Sequence, residues 1–218
     1  MTYDADGPGE LVIVANNIQD HGSCDDALVR LSGANRATQV SGNYLSISDH
    51  DGLVVEDTTG VVVANNVIDR IEGTAITIGA SEETAGVTVH GNSIRKAGTA
   101  IRLTGAQFSS VSIADNAIDE CAGGIAVDAA VDTMSIADNT LGRHEGSAID
   151  LERGDIAGAS VANNVVGYDP AGDAVQAAFR FGEAGPASAM GNVIDGRGCL
   201  ECAMLEDGWE TAGNVDRR

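Results

Sequence analysis

The chain has 218 residues, 43% of them hydrophobic but only 3% aromatic, which suits a long thin core of small and branched aliphatic side chains. Its 33 acidic residues against 12 basic ones leave a formal charge of −21, so the basic footprint that phosphate recognition needs is missing and nucleic acid is excluded as a partner. Arginine takes all the basic positions but Lys96, and with the acid excess this reads as a surface adapted to high salt, where self-repulsion is screened.

Residues 1–10 carry neither a charged-then-apolar signal segment nor a twin arginine. They read as a lead-in to one domain spanning 11–218. No apolar run approaches the length of a membrane span.

From there the chain is punctuated by Asn17, Asn43, Asn66, Asn92, Asn116, Asn139, Asn164, Asn192 and Asn214. Most close one phrase: a small or β-branched residue, any residue, Val or Ile, two small or polar residues, Asn, any residue, Ile or Leu. Val61 to Ile68, Val87 to Ile94, Val111 to Ile118, Met134 to Leu141 and Ala159 to Val166 follow it. A repeat at this period marks a solenoid. If each repeat is one coil, the amides stack along the axis. A buried amide offers two donors and an acceptor, so a column of them is satisfied where one alone is costly.

Coil one is imperfect: Val12, Val14 and Asn17 fit, but Gln19 stands where an aliphatic residue is expected. Coil two holds Ala27 to Leu31, then Asn43-Tyr44-Leu45. The stretch Ser46 to Gly52 that follows is the richest in reactive side chains. Coils three to six are the most regular. Each adds a second phrase, Gly, one or two small residues, then aliphatic, variable, aliphatic, as in Gly73 to Ile78, Gly98 to Leu103, Gly123 to Val127 and Gly146 to Leu151. Both phrases alternate with period two and are too short for helices. Two aliphatic columns emerge, Leu45, Ile68, Ile94, Ile118, Leu141, Val166, Ile194 and Ile76, Ile101, Ile125, Ile149, Val175. Phe108, Phe179 and Phe181 fall at the turn that absorbs length variation, where they read as local core or, more sharply, as a sugar-stacking platform. Cys199 and Cys202 stand at metal or redox spacing, but with Leu200 and Cys202 at the positions of Ile125 and Val127 the cysteines read as small core residues, and no second pair stands at zinc spacing. After Asn192 the pattern degrades, and Trp209 is expected to cover the last coil. The open strand ends suggest either a short autonomous rod with improvised caps or a section of a longer polypeptide.

A leucine-rich repeat has a similar strand phrase, but here Val and Ile outnumber Leu and a second strand, not a helix, follows each Asn. The expected fold is all-β: a right-handed parallel β-helix solenoid of about nine coils, forming a rod of roughly 40 Å at the inter-strand spacing. The phrases resemble those of the right-handed parallel β-helix repeat family, the pectin-lyase-like superfamily that includes NosD-like and carbohydrate-associated β-helices. The resemblance covers roughly residues 11 to 215 and implies a polysaccharide partner.

Chemistry is expected on the turns and outward rows. Aligning the turns on Gly22, Gly52 and Gly73 places Asp20, His21, His50, Asp51 and Glu72 on one edge, a mixed carboxylate and imidazole set suited to a divalent cation. Arg102, Asp128, Asp150 and Glu152 form a second set on an outward face, where Asp128 and Asp150 would serve as a glycosidase acid and base and Arg102 would grip an acidic sugar. The alternative is a surface ion-pair ladder. His144-Glu145 is a third pair on a turn edge. The arginine motif of pectate lyases and the Asn-Thr-Asp, Asp-Asp and Gly-His-Gly phrases of polygalacturonases are missing. Ile47 to His50 and Tyr168 to Pro170 overlap lyase and epimerase phrases only in part. The leading reading is a carbohydrate-binding or scaffold module. A polysaccharide lyase or hydrolase and a purely structural rod are the alternatives.

Overall fold

The computed structural model describes residues 2–5, 9–19, 26–33, 36–168, 175–195, 199–205 and 208–216. Among them there is no helix, and every strand pairing between named strands is parallel. Successive coils stack in register, so each column of like side chains in the sequence becomes a column in space.

Three strand faces run the length of the rod. Face A holds Glu10–Val14, Ala37–Ser41, Val61–Ala64, Val87–His90, 111–114, 134–137, Ala159–Ala162, Ala187–Met190 and Trp209–Ala212. Face B holds Asn17–Gln19, Tyr44–Ser48, 67–71, 93–97, Ala117–Asp119, Thr140–Gly142, Val165–Gly167, Val193–Asp195 and Val215–Asp216. Face C holds Thr2–Ala5, Ala27–Gly33, Asp51–Glu56, 74–79, 99–105, 123–128, Ile149–Leu151, Val175–Phe181 and Cys199–Leu205. Thr2–Ala5 lies within the expected lead-in, yet it is a solenoid strand paired with residues 30–33.

Inward positions are aliphatic and essentially dry: Val40, Val63, Val89, Ile113, Ile136 and Val161 on face A, and Leu45, Ile68, Ile94, Ile118, Leu141 and Val166 on face B. Each such side chain contributes about 1.5–3 kcal/mol by leaving water. On face C the column Leu53, Ile76, Ile101, Ile125, Ile149 continues to Phe179 and Ala203, so Phe179, not Val175, is the next member, and Leu200 and Cys202 do not share the positions of Ile125 and Val127. The offset from Ile149 to its partner Phe179 is 30 residues, against 24 from Ile125 to Ile149.

The outward rows alternate with these. On face A one row runs Val12, Gln39, Val62, Thr88, Ser112, Ser135, Ser160, Ser188, Glu210. The other runs Val14, Ser41, Ala64, His90, Ala114, Ala137, Ala162, Met190, Ala212. The first outward row of face B runs Asn17, Tyr44, Val67, Ser93, Ala117, Thr140, Val165, Val193, Val215.

At the turn from face A to face B lies the asparagine ladder. Each rung's backbone N–H and Nδ2 both donate to the Oδ1 of the next rung; for Asn92 onto Asn116 both distances are 3.0 Å. The spare Nδ2 hydrogen goes to backbone carbonyls such as Val63 O at 2.9 Å. The rungs from Asn43 to Asn192 are buried. The first rung is Asn16, not Asn17: Asn16 N and Nδ2 donate to Asn43 Oδ1 at 2.9 and 3.0 Å. With that one-residue correction, Ile18 pairs with Leu45 and fills the aliphatic position assigned to Gln19.

The residue before each rung has positive φ: Ala15, Gly42, Asn65, Gly91, Asp115, Asp138, Asn163, Gly191 and Gly213. Gly, Asn and Asp are the residues that enter this region at least cost. A second left-handed column lies four residues after the rungs, at Ile47, Arg70, Lys96, Glu120 and Arg143. Gly105 shows how tightly coils approach: its φ is 110°, and a Cβ there would lie 2.1 Å from Ala80 O. Gly105→Ala is expected to lower stability by about 2 kcal/mol, read as a reduced denaturant midpoint with unchanged slope.

Candidate functional site

Face C carries the charged chemistry, and its outward rows resolve into arginine-carboxylate groups. Arg102 pairs with Asp128 at 2.6 Å. Three rungs further along, Arg180 holds both Asp150 and Glu152, and Glu152 N donates to Asp150 Oδ1 at 3.1 Å. Three rungs before Arg102 in the same row, Arg30 holds Asp26 and Glu56. Arg102 and Asp150 share a row but are separated by Ala126. Among the sequence candidates, Asp128 and Asp150 thus lie in two different ion-pair groups, each with its own arginine.

Two grooves flank this face. One, of about 290 Å³, lies at the face B edge and is lined by Asp49, Arg70, Glu72 and Lys96 around Ile47 and Ile71. The other, of about 240 Å³, lies at the far edge beside Glu56, Asp57, Ser81 and Thr104. Arg70 and Lys96 belong to the second left-handed column, so their side chains leave the corner of the rod together. Arg70 Nε contacts Asp69 at 2.9 Å, and Lys96 Nζ stands 3.6 Å from Glu120.

The candidate cation set is distributed differently from the alignment on glycines. Asp20 and His21 lie outside the described residues. Asp51 pairs with Ala27 on one side, while on the other Leu53 pairs with Ile76 and Gly73 N donates to His50 O at 3.2 Å, so Gly52 and Gly73 do not occupy equivalent positions. Asp51 turns onto its neighbour coil: its Oδ1 accepts from Thr74 N at 2.7 Å and its Oδ2 from Thr77 Oγ1 at 3.2 Å. His50 and Glu72 are exposed. Among the described residues no group of three or more His, Cys, Asp or Glu side chains stands close enough to hold a metal ion. Asp51 fits a coil-to-coil clamp, with each oxygen already accepting a protein donor.

His144 was placed on a turn edge by sequence, but it is buried, 4% exposed. Five residues after each of five successive rungs the chain turns inward, at Ser48, Ile71, Ala97, Cys121 and His144, and all five are buried. His144 lies level with Cys121, as Glu145 N bonding Cys121 O at 3.3 Å and Gly146 N bonding Ala122 O at 2.7 Å require. Burial lowers the imidazole to about 4, against a smaller opposing influence of the Cys121 backbone and the Asp119 charge. Neither ring nitrogen reaches a hydrogen-bond partner of good geometry. Burial also raises the Cys121 thiol. Above them Arg143 grips Asp119, with Nε to Oδ1 at 2.8 Å, and this holds the Asp119 carboxyl below its ordinary range.

The phenylalanines form no exposed platform. Phe108, Phe179 and Phe181 are at most 2% exposed; Phe181 stacks on Phe179 at 5.4 Å and on the half-buried Trp209 at 4.3 Å. Trp209 Nε1 donates to Gly182 O at 3.0 Å. Among the described residues no helix is long and apolar enough to cross a membrane.

A family model described as "Right handed beta helix region" matches residues 27–177. No curated protein and no solved structure matches the chain. The match covers well over half of the 218 residues and agrees with the parallel coils, the three faces and the amide column, so the chain belongs to the right-handed β-helix family.

Proposed function

We propose that this chain is a carbohydrate-binding module, in which face C and the two grooves at its edges take a polysaccharide. The fold itself supports a polysaccharide-associated or structural role in general terms. The observation that carries the finer reading is the groove at Asp49, Arg70, Glu72 and Lys96, which combines an aliphatic floor with cations and carboxylates on one rigid corner. Such a mixture bonds hydroxyls and carboxylates of a sugar polymer while the partly exposed Ile47 covers ring carbons. The second groove brings more acceptors and the Ser81 and Thr104 hydroxyls to the opposite edge of the same strands. Binding is favoured over bond cleavage because Asp128 and Asp150 lie in two separate ion-pair groups, each with its own arginine.

Titration calorimetry against uronate-bearing and neutral polysaccharides tests this. Binding is expected to weaken about ten-fold in Arg70→Ala/Lys96→Ala, the loss of two charge-assisted contacts of modest strength. Release of reducing ends or unsaturated products that disappears in Asp150→Ala would instead assign catalysis. Silence across the whole panel would leave the structural rod.

A further inference from the structure

The acidic character of the molecule is not evenly spread. The two outward rows of face A and the first outward row of face B hold 27 positions over nine rungs, and only Glu210, at one end, is an Asp, Glu, Lys or Arg. With 21% of the chain charged, and charges concentrated on surfaces, five or six would be expected by chance alone. Among the described residues the exposed large hydrophobic side chains are Val12, Val14, Val67, Val165, Met190 and Val215. All of them lie in these three rows. Two independent features, missing charge and exposed aliphatics, therefore mark the same surface, and both distinguish the core of a protein interface. The line between the rows has acidic side chains at Asp115 and Asp138, at the ladder corner.

We infer that two copies of this chain associate face to face through this surface. The partner is a second copy because of charge and area together. Elsewhere a −21 rod meets its like with carboxylate opposed to carboxylate, whereas here most groups brought together are hydroxyls, methyls and valines. Nine rungs at about 4.8 Å and a width of roughly 15 Å give about 600 Å² per copy, or roughly 1,200 Å² in total. That reaches the lower end of stable interfaces. A surface pairing with itself makes a closed, two-fold contact. It leaves face C and its grooves outside the interface. The remaining charge still opposes association at long range, so salt strengthens it.

Sedimentation equilibrium of the whole chain in about 0.1 M and about 2 M KCl tests this, with the Debye length falling from about 10 Å to under 3 Å. A dimer is expected at tens of micromolar in the high salt, with a Kd about ten-fold weaker in the low salt. Ser112→Glu/Ser160→Glu, two rungs apart on face A, is expected to give a monomer with unchanged circular dichroism and Tm. Thr104→Glu/Ala126→Glu, of equal charge on face C, is expected to remain dimeric. A monomer at every salt, a dimer indifferent to the face A pair, or a dimer lost equally with the face C pair would each overturn the assignment.

Discussion

Asn116→Leu is expected to cost about 3–5 kcal/mol, seen as a large fall in the urea midpoint, because the side chain serves both neighbouring coils. Its Oδ1 accepts from Asn92 N and Nδ2, each at 3.0 Å, and its Nδ2 donates to Val89 O, Ala114 O and Asn139 Oδ1, all at 3.0 Å. Leucine has a similar volume but strands the Asn92 donors and the Val89 carbonyl in a dry interior. Each orphaned group costs about 1–3 kcal/mol. At the end of the ladder the same change should matter less. Asn214 Oδ1 serves Asn192 from a position that is itself exposed, so Asn214→Leu should cost about 1 kcal/mol. Equal losses at both sites would mean that the amides are not acting as coil-to-coil connectors.

The second large effect concerns acid. His144 is held neutral by burial, with its folded-state value lowered to about 4 from 6.5. Above pH 6.5 both folded and unfolded forms carry a neutral ring, and the group adds no pH dependence. Between 6.5 and about 4 the unfolded chain takes up a proton that the folded chain refuses, so stability is lost as pH falls, by about 3 kcal/mol over the window. In His144→Leu this loss is expected to vanish, and the variant should also be more stable at neutral pH by about 1–3 kcal/mol, since two unpartnered ring nitrogens leave the interior. Urea titrations at pH 7 and pH 4.5 on both proteins check this. A parallel loss of stability in both would show that the imidazole is not the responsible group. Asp119 contributes in a different window: Arg143 lowers it below its ordinary 3.8, so its stabilisation is lost only as pH falls further.

Periodicity made the fold legible because a stacked rung is identical to the next: the amide column and the face B aliphatic column are readable from Asn43 onward, whereas the face C column slips after Ile149, where the next member is Phe179 and not Val175. The first rung was misread because Val12 and Val14 look like the inward pair. In a strand a one-residue slip exchanges faces: Ile13 is buried, while Val12 and Val14 are 58% and 48% exposed. The left-handed residue preceding each rung is the discriminating signal, and Ala15 is the one member of that column that does not advertise it. Local sites were harder. His144 sits between Arg143 and Glu145 and so resembles a surface turn, yet counting five residues from each rung places it under Ser48, Ile71, Ala97 and Cys121. The glycine alignment that gathered His50, Asp51 and Glu72 failed because glycines at these corners answer to close coil approach and need not occupy equivalent positions. A Cβ on Gly52 would lie 2.7 Å from Ala75 O, whereas one on Gly73 would strike the Asp51 carboxylate at 2.3 Å.

The amide column also bears on how such a molecule changes length. Since each rung hands the same pair of donors to the same acceptor, nothing in the ladder records how many turns precede or follow. Excising residues 93–116 would join Asn92 to Ala117, which occupies the site of Ser93, and would bring Asn139 to the place Asn116 held. Whole turns are therefore interchangeable units, and duplication or loss of one leaves the chemistry of the seam intact.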